Sequence, residues 1–355
     1  MGIAVGMSGS GGLPETAAVL VVRRAVREWV AARGGRAPVV VGLSGGADSL
    51  ALVAGAVAEA GPVTAVVVDH RLQDGSDAVA RRAVAQALGL GCVDGLVLPV
   101  EVGRAGGVEA AARVARYAAL ESVRDGRPVL LGHTLDDQAE TVLLGLARGS
   151  GGRSIQGMTA WKTPWGRPLL GVRRAQTVRM CADLGLTVWD DPHNSDPGYT
   201  RVRVRNEVLP LLEDVLGGGV AEALARTAGQ LREDGAVLDM YAAELLRAAR
   251  SERPEAQQSA AAPSGTGDTC PSTLSIEILA TAPPALRRRA VRAWLTEQGI
   301  SGLMNAHLQA IDELVRNWRG QGGVAVAGGG RAHRLVVARE HGTLTVRAQS
   351  RLDAT

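Results

Sequence analysis

Four short apolar runs, at 39–43, 63–68, 95–100 and 129–131, alternate with Ala-rich segments of helical periodicity near 50–60, 77–88, 107–123 and 137–147. That alternation predicts an α/β fold, a doubly wound parallel sheet with helices on both faces. In such sheets ligands bind beyond the carboxyl ends of the strands, where strand order reverses. Three polar clusters follow directly on the predicted strands: residues 44–49, Asp69-His70-Arg71, and 133–137. Their shared position points to one site.

The first cluster is the most specific. An apolar strand, Val39-Val40-Val41-Gly42-Leu43, runs into Ser44-Gly45-Gly46-Ala47-Asp48-Ser49, and this turn opens a helix. The geometry suits phosphate: Gly45 and Gly46 let the backbone approach an anion, successive N–H groups converge on it, and the helix dipole adds partial positive charge. The hydroxyls of Ser44 and Ser49 add donors. A carboxylate at Asp48 beside phosphates makes sense mainly with a divalent cation between them. The turn is not a G-x-x-x-x-G-K-[ST] loop, because nothing supplies its lysine; Lys162 is the sole lysine of the chain. A bare Gly-Gly pair is ordinary turn chemistry, but the full S-G-G-x-D-S string is far more selective.

The segment from Gly132 to Thr141 carries His133, Asp136, Asp137 and Glu140, which on a helix fall at i, i+3/i+4 and i+7 of one face. Such a cluster can bind a metal, hold an ammonium ion or cap the helix. An isolated Asp pair at a helix start usually caps, whereas a His and a Glu on the same face near a phosphate turn favour function. Arg113 and Arg116 lie one turn apart on the preceding helix, a spacing that alone describes a solvated face. Arg148-Gly149 suits the end of the next helix as a charge and cap. Arg201, Arg203 and Arg205 alternate with valines, and Arg201 and Arg205 share a face if the segment is helical. Arginine at that spacing suits phosphate, of a nucleotide or of an RNA backbone. With Arg167, Arg173, Arg174 and Arg179 they make 148–205 the basic part of the chain.

At 355 residues the chain exceeds one typical domain of roughly 100–200 residues. Its 39 Lys+Arg against 36 Asp+Glu leave a formal net charge of +3, so whole-chain charge says little about a nucleic-acid partner and distribution matters more. Cys92, Cys181 and Cys270 are widely separated and form no C-x-x-C, which indicates neither a zinc site nor a disulfide framework and fits a reducing cytoplasm. The opening 1–14 is Gly/Ser-rich without the basic and apolar regions of a signal peptide, and later apolar runs are too short to span a bilayer. Helix is expected from 201 to about 250 with a break at Gly217-Gly218-Gly219. A Pro/Ser/Ala/Gly-rich stretch at 251–272 reads as a mobile linker. Helical periodicity resumes at 284–298 and 307–318, followed by Gly-rich, strand-like pieces around 323–348.

The S-G-G-x-D-S string resembles the PP-loop of the ATP pyrophosphatases, which cleave ATP between the α- and β-phosphates. Taken in order, the further motifs are similar to those of the tRNA(Ile)-lysidine synthase family. They are the V-[DN]-H turn at Asp69 and His70, E-A-A-A-R-x-x-R-Y from Glu109 to Tyr117, and G-H-x-x-D-D-Q-A-E-T from Gly132 to Thr141. R-G-x-G with a later G-M (Arg148, Gly149, Gly151, Gly157, Met158), R-P-L-L from Arg167, and W-x-D-P-x-N (Trp189, Asp191, Pro192, Asn194) complete the series. The resemblance covers 39–212, and the R-R-R-A-V-R-A-W-L run at 287–295 is similar to the family's smaller following domain. The chain departs from the family pattern at Gln73, His193 and Val202.

This resemblance implies ATP-dependent ligation of free lysine to C2 of the wobble cytidine of the CAU-anticodon isoleucine tRNA, through an adenylated RNA, with Mg²⁺ accompanying ATP. The base would flip out of the anticodon stack into a pocket, with Trp161 and Trp165 as stacking candidates weighed against burial in the core. ATP binding falls to Ser44, Gly45, Gly46, Ala47, Asp48, Ser49, Asp69 and His70, and metal binding to Asp48 and Asp136. Lysine falls to Asp137 and Glu140; catalysis to Asp48, His133, Asp137, Arg113 and Arg205; RNA or phosphate contacts to Arg116, Arg148, Arg201 and Arg203. The organisation then reads as a mobile start and first helix (1–30), a PP-loop catalytic domain (31–215), a helical connection (216–250), a disordered linker (251–272) and a smaller, mostly helical tRNA-binding domain (273–355). The expected setting is cytoplasmic, without membrane contact, and a homodimer is compatible with it. Two other readings are a PP-loop tRNA thiolase, which would show paired cysteines, and a non-catalytic ATP-binding RNA-binding protein, which would have no use for the acidic cluster.

Overall fold

The computed structural model describes residues 13–71, 73, 75–101, 103, 107–149, 151–192, 195–251, 273–330 and 333–350. The start expected to be mobile and the linker expected at 251–272 fall almost entirely outside the described residues, as do His193, Asn194 and Cys270. The chain divides into two compact units, one formed by residues up to 147 with 157–228, the other by 148–156 with residues from 229 onward.

The first unit alternates strand and helix. In chain order it contains α1 (Ala17–Ala31), β1 (Val39–Leu43), α2 (Ala47–Glu59), β2 (Val63–Asp69), α3 (Ser76–Gly89), β3 (Asp94–Pro99), α4 (Val108–Val123), β4 (Val129–Leu131) and α5 (Leu135–Ala147). The two-residue strands β5 (Trp161–Lys162) and β6 (Trp165–Gly166) follow, then α6 (Arg174–Asp183), α7 (Thr200–Arg203) and α8 (Leu209–Val215). The sheet order is β3-β2-β1-β4-β6-β5, parallel throughout except for the β5–β6 pair. From β1 the chain builds outward through β2 and β3, then returns to place β4 on the other side of β1. Strand order therefore reverses between β1 and β4, and the crevice expected for a ligand opens past Leu43 and Leu131.

Alternation along the strands separates the two layers. Val39, Val41, Leu43, Ala65 and Val67 face a core closed by Val22 and Val26 of α1, Leu50, Leu52 and Val53 of α2, Ala83 of α3 and Met180 of α6. Val40, Val66, Val129 and Leu131 face the opposite side and meet Leu120 and Tyr117 of α4. Full burial of side chains such as Leu50 and Leu52 contributes about 1.5–3 kcal/mol each. Thr16 caps α1 by accepting from Val19 N at 3.3 Å and donates to Asp183 at 2.6 Å, tying α1 to the end of α6.

Helix α9 (Val220–Ser251) begins in the first unit and continues into the second. The second unit adds β7 (Leu274–Ser275), α10 (Ile276–Thr281), α11 (Pro284–Glu297), α12 (Asn305–Arg316), β8 (Val324–Val326), β9 (His333–Glu340) and β10 (Thr343–Ser350). The strand-like pieces read at 323–348 form β8, β9 and β10 of an antiparallel sheet ordered β7-β10-β9-β8. Leu279, Val291, Trp294, Leu295, Ile311 and Val337 fill its core. Arg287, 1% exposed, lies in that core and pairs with Asp312, while its Nη1 donates to the Ala282 carbonyl at 2.8 Å.

Candidate active site at the switch point

The turn after β1 is held in shape by its own hydroxyls. Ser49 Oγ accepts from Ser44 N at 3.1 Å and donates to the Gly46 carbonyl at 2.9 Å, and Ser44 Oγ lies 3.1 Å from Ser49 Oγ. Gly45 has φ +82°, a conformation that an L side chain rarely adopts, and its carbonyl accepts from Trp189 N at 2.9 Å. No side chain caps α2 at Gly46. The first N–H groups of α2 therefore point out of the turn with the positive end of the helix dipole behind them.

Beside the turn lies a cavity of about 270 Å³, lined by Leu43, Ser44, Val67, Asp69, His70 and Trp189 among others. Its mixed lining of apolar and polar side chains suits a nucleoside. Asp69, buried at the end of β2, accepts from Arg71 N at 3.0 Å and so shapes the next turn. His70 Nδ1 is buried without a partner, and burial, aided by Arg116, lowers the pKa of the ring despite the opposing charge of Asp69.

The acidic segment after β4 divides between a loop and a helix. Asp136, Asp137 and Glu140 lie on α5, which begins at Leu135, slightly ahead of the periodicity near 137–147, while His133 belongs to the loop before it and not to the face on which helical spacing would set it. The reason is local capping. Asp137 Oδ2 reaches back to accept from both Thr134 N and Thr134 Oγ1 at 2.8 Å, which fixes the first turn of α5. His133 sits in a strongly positive corner: burial first, then Arg116, Arg167 and Arg113, lower its pKa against the pull of Asp137, so the ring is neutral at pH 7. Its Nδ1 is buried and unpartnered. Arg167 Nη2 donates to Tyr117 Oη at 3.3 Å, and Arg113 Nη2 donates to the same oxygen at 3.1 Å. Three arginines, Arg113, Arg116 and Arg167, thus gather around His133 beside the cavity.

The acidic groups have their own arginines. Glu140 is fully buried on α5. Arg205 Nε donates to Glu140 Oε1 at 2.7 Å, and its Nη2 reaches Glu140 Oε2 at 3.1 Å and Asp137 Oδ1 at 3.2 Å. Arg201, four residues earlier, donates to Thr141 Oγ1 at 3.0 Å and lies 3.6 Å from Glu140. A π-helical turn at Val204–Val208 carries Arg205 on the same side as Arg201.

Arg174 and Thr177, on the first turn of α6, join the site although the motifs did not single them out. Arg174 Nη2 donates to Asp137 Oδ1 at 2.7 Å, Nε to Asp48 Oδ2 at 3.0 Å and Nη1 to Glu140 Oε1 at 3.4 Å. Thr177 Oγ1 donates to Asp48 Oδ1. Burial raises the pKa of Asp48 even so, with Arg174 and Thr177 opposing. The only sequence signal for these two residues was a basic stretch followed by helical spacing, which says nothing of what they touch.

Asp48 fits a divalent cation delivered with a nucleotide, since magnesium in such sites takes one or two carboxylates and completes its shell with phosphates and water. Both oxygens of Asp48 are engaged in this structure, by Arg174 Nε and Thr177 Oγ1, and those of Asp136 likewise: its Oδ2 accepts from Arg174 N at 2.7 Å and its Oδ1 from Arg173 Nε at 3.2 Å. Among the described residues no three His, Cys, Asp or Glu side chains gather as a metal site.

The remaining expected residues lie elsewhere. Arg203 is exposed and pairs with Glu207 at 2.9 Å. Arg148 falls in the second unit and is exposed. Trp161 packs edge-on to Trp29 at 5.5 Å, and Trp165 packs on Tyr117 at 4.4 Å, so both are engaged in aromatic contacts within the first unit. Cys92 and Cys181 are buried free thiols whose pKa values are pushed up, by burial first, to about 11 and about 12. Thiols in that state are poor nucleophiles, contrary to what a thiolase needs. No helix among the described residues is long and apolar enough to cross a membrane.

A parallel sheet whose first strand ends in this Ser/Gly turn, with an acidic helix at the switch point, defines a PP-loop nucleotide-binding protein. The PP-loop domain family matches residues 20–212, and the TilS substrate binding domain matches residues 274–345. The tRNA(Ile)-lysidine synthase of Nocardia farcinica is 64% identical over 94% of this chain and 100% of its own length. That of Rhodococcus erythropolis is 58% identical over 96% of this chain and 98% of its own length. The chain belongs to the tRNA(Ile)-lysidine synthase family. Among solved structures, the U34-tRNA thiolase NcsA of Methanococcus maripaludis, with its [4Fe-4S] cluster, superposes with a TM-score of 0.50 at 17% identity, covering 62% of this chain and 81% of the thiolase. That likeness concerns the fold alone.

Proposed function

We propose that this protein joins free L-lysine to C2 of the wobble cytidine of the isoleucine tRNA with a CAU anticodon, consuming ATP and releasing AMP and pyrophosphate. One observation carries the reading: a phosphate loop and a buried acidic pair share one arginine, Arg174, at 3.0 Å from Asp48 and 2.7 Å from Asp137. A phosphate loop alone serves any nucleotide. Asp137 and the fully buried Glu140 beside it add a pocket for an ammonium group, which neither nucleotide nor RNA binding requires.

In the first step the cytidine O2 attacks the α-phosphorus of ATP and pyrophosphate leaves. The N–H groups of 44–49 and the start of α2 hold the departing phosphates, with the nucleoside in the cavity by Asp69 and His70. When bound, Mg²⁺ offsets charge on the phosphates, and Asp48 and Asp136 are the carboxylates assigned to hold it. Arg113, Arg116 and neutral His133 face the α-phosphate or the base, where the gathered positive charge favours an anion. In the second step the ε-nitrogen of lysine attacks C2, the C2–O bond breaks and AMP leaves. Asp137 and Glu140 hold the ammonium beforehand, Asp137 takes the proton that the attacking amine must lose, and Arg205 steadies the acidic pair.

Catalysis is assigned to 31–215 and tRNA binding to 273–355, in line with the two family matches. Arg201 and Arg203, with exposed Arg148, are assigned to RNA phosphate, and the setting to the cytoplasm. The test follows AMP and pyrophosphate separately with the full chain, ATP, Mg²⁺ and the tRNA. Pyrophosphate release should require tRNA, and AMP release should require lysine in addition. AMP release indifferent to lysine would overturn the reading.

A further inference from the structure

The acidic pocket is electrically full before any substrate arrives. Three carboxylates, Asp48, Asp137 and Glu140, face three guanidinium groups, those of Arg174, Arg201 and Arg205. His133 is neutral and alters nothing in that count. A lysine ammonium entering the pocket adds one positive charge in a secluded place. Its contacts with Asp137 and Glu140 must replace contacts already made, so one guanidinium has to leave.

Arg174 is the one of the three that also reaches the phosphate-loop helix. Among the described residues, Arg205 and Arg201 pair with Glu140, Asp137 and Thr141. Arg174 instead spans from the acidic pair to Asp48, on the first turn of the helix that the phosphate loop opens. Polyphosphate at that loop supplies the negative charge that draws a guanidinium toward it. Resting on the lysine pocket proposed above, we infer that Arg174 is a positioning residue that reserves this pocket until ATP is bound. Without ATP its guanidinium occupies the carboxylates as an internal stand-in for lysine. With ATP it swings to the phosphates and frees Asp137 and Glu140, so lysine follows ATP.

The coupling is measured by calorimetric titration of L-lysine into the full chain, with and without Mg²⁺ and α,β-methylene ATP, which cannot release pyrophosphate. In the natural protein the analogue should tighten lysine binding at least about tenfold, within the usual range of coupling between two sites. In Arg174→Gln lysine affinity should become nearly independent of the analogue, the ratio falling below about twofold, because the stand-in is gone. Added methylguanidinium should weaken lysine binding to that variant again and restore dependence on the analogue. A merely structural role for Arg174 lowers affinity or melting temperature without changing the ratio. If Arg174→Gln fails to fold, Arg174→Met removes the charge while keeping the length and apolar stem of the side chain, and its ratio should also drop.

A full natural ratio in either variant, or no effect of the analogue on the natural protein, overturns the inference. Glu140→Gln separates this from failure of the pocket itself. If it leaves lysine affinity unchanged, or if the natural protein binds no lysine even with the analogue, the lysine pocket is wrongly assigned. If it weakens lysine while the Arg174 variants keep their coupling, only the role of Arg174 falls.

Discussion

A Cβ at Gly132 would lie 3.0 Å from the carbonyl carbon of Asp48. The turn after β4 thus runs against the backbone of the phosphate-loop helix, at a distance that a Cβ meets only by pushing the two apart. The contact is backbone on backbone, so nothing flexible can yield. Gly132→Ala should push the start of α5 away from α2, opening the bridge between Asp48 and Asp137. We expect tRNA-dependent pyrophosphate release to fall by at least about tenfold, in line with the sensitivity of positioned sites to small displacements. Full activity with an unchanged melting temperature would show that the two turns move independently.

Glu140→Gln removes the charge that Arg205 holds at 2.7 Å and that lysine is proposed to use. Losing one partner of a desolvated, hydrogen-bonded charge pair costs about 2–5 kcal/mol, at least a tenfold change in affinity. The KM for lysine should rise accordingly while pyrophosphate release persists and adenylated tRNA accumulates. Loss of ATP binding with an unchanged lysine dependence would assign Glu140 to the nucleotide instead.

Two half-buried histidines set a pH window. His133 and His70 have folded pKa values below the ordinary 6.5, chiefly through burial, so the unfolded chain binds protons more readily than the native one. Stability is therefore full above 6.5 and falls as the pH drops below it. Glu59, held by Arg27 and Arg23 at about 2 against an ordinary 4.5, acts only in a lower window, losing its contribution as the pH falls below 4.5. Melting temperatures measured from about pH 7.5 down to about 5 should decline, and His133→Asn should flatten that slope. An equal slope in the variant would contradict a neutral, half-buried His133.

In the second unit Arg287 is buried with Asp312 as its charged partner. Asp312→Ala leaves that guanidinium uncompensated and should destabilise the protein by about 3–5 kcal/mol in denaturant unfolding of the full chain. Replacing both residues together, Arg287→Met with Asp312→Leu, should recover most of the loss.

The sheet was legible because its strands carry little but valine and leucine between Ala-rich helices, and burial on both faces asks for little else. The loop at 44–49 was legible because phosphate binding is a local property of one turn. The contacts of Arg174 and Thr177 were not, because α6 meets α2 only in the folded sheet and no spacing along the chain encodes that meeting. His133 falls outside the helix because Thr134 and Asp137 form a cap that starts it at Leu135, a side-chain event that periodicity does not register. The short strands around Trp165 escaped notice for the opposite reason: two residues are too few to show a period.

The central claim is that lysine becomes covalently attached to the wobble cytidine. Isotopically labelled lysine, ATP and Mg²⁺ should be incubated with the full chain and the CAU-anticodon isoleucine tRNA, and the tRNA then digested and read by mass spectrometry. The account predicts label on the wobble nucleoside alone, dependent on ATP and lost when that cytidine is replaced by uridine. Label absent from the nucleoside, or unchanged by the replacement, would contradict it.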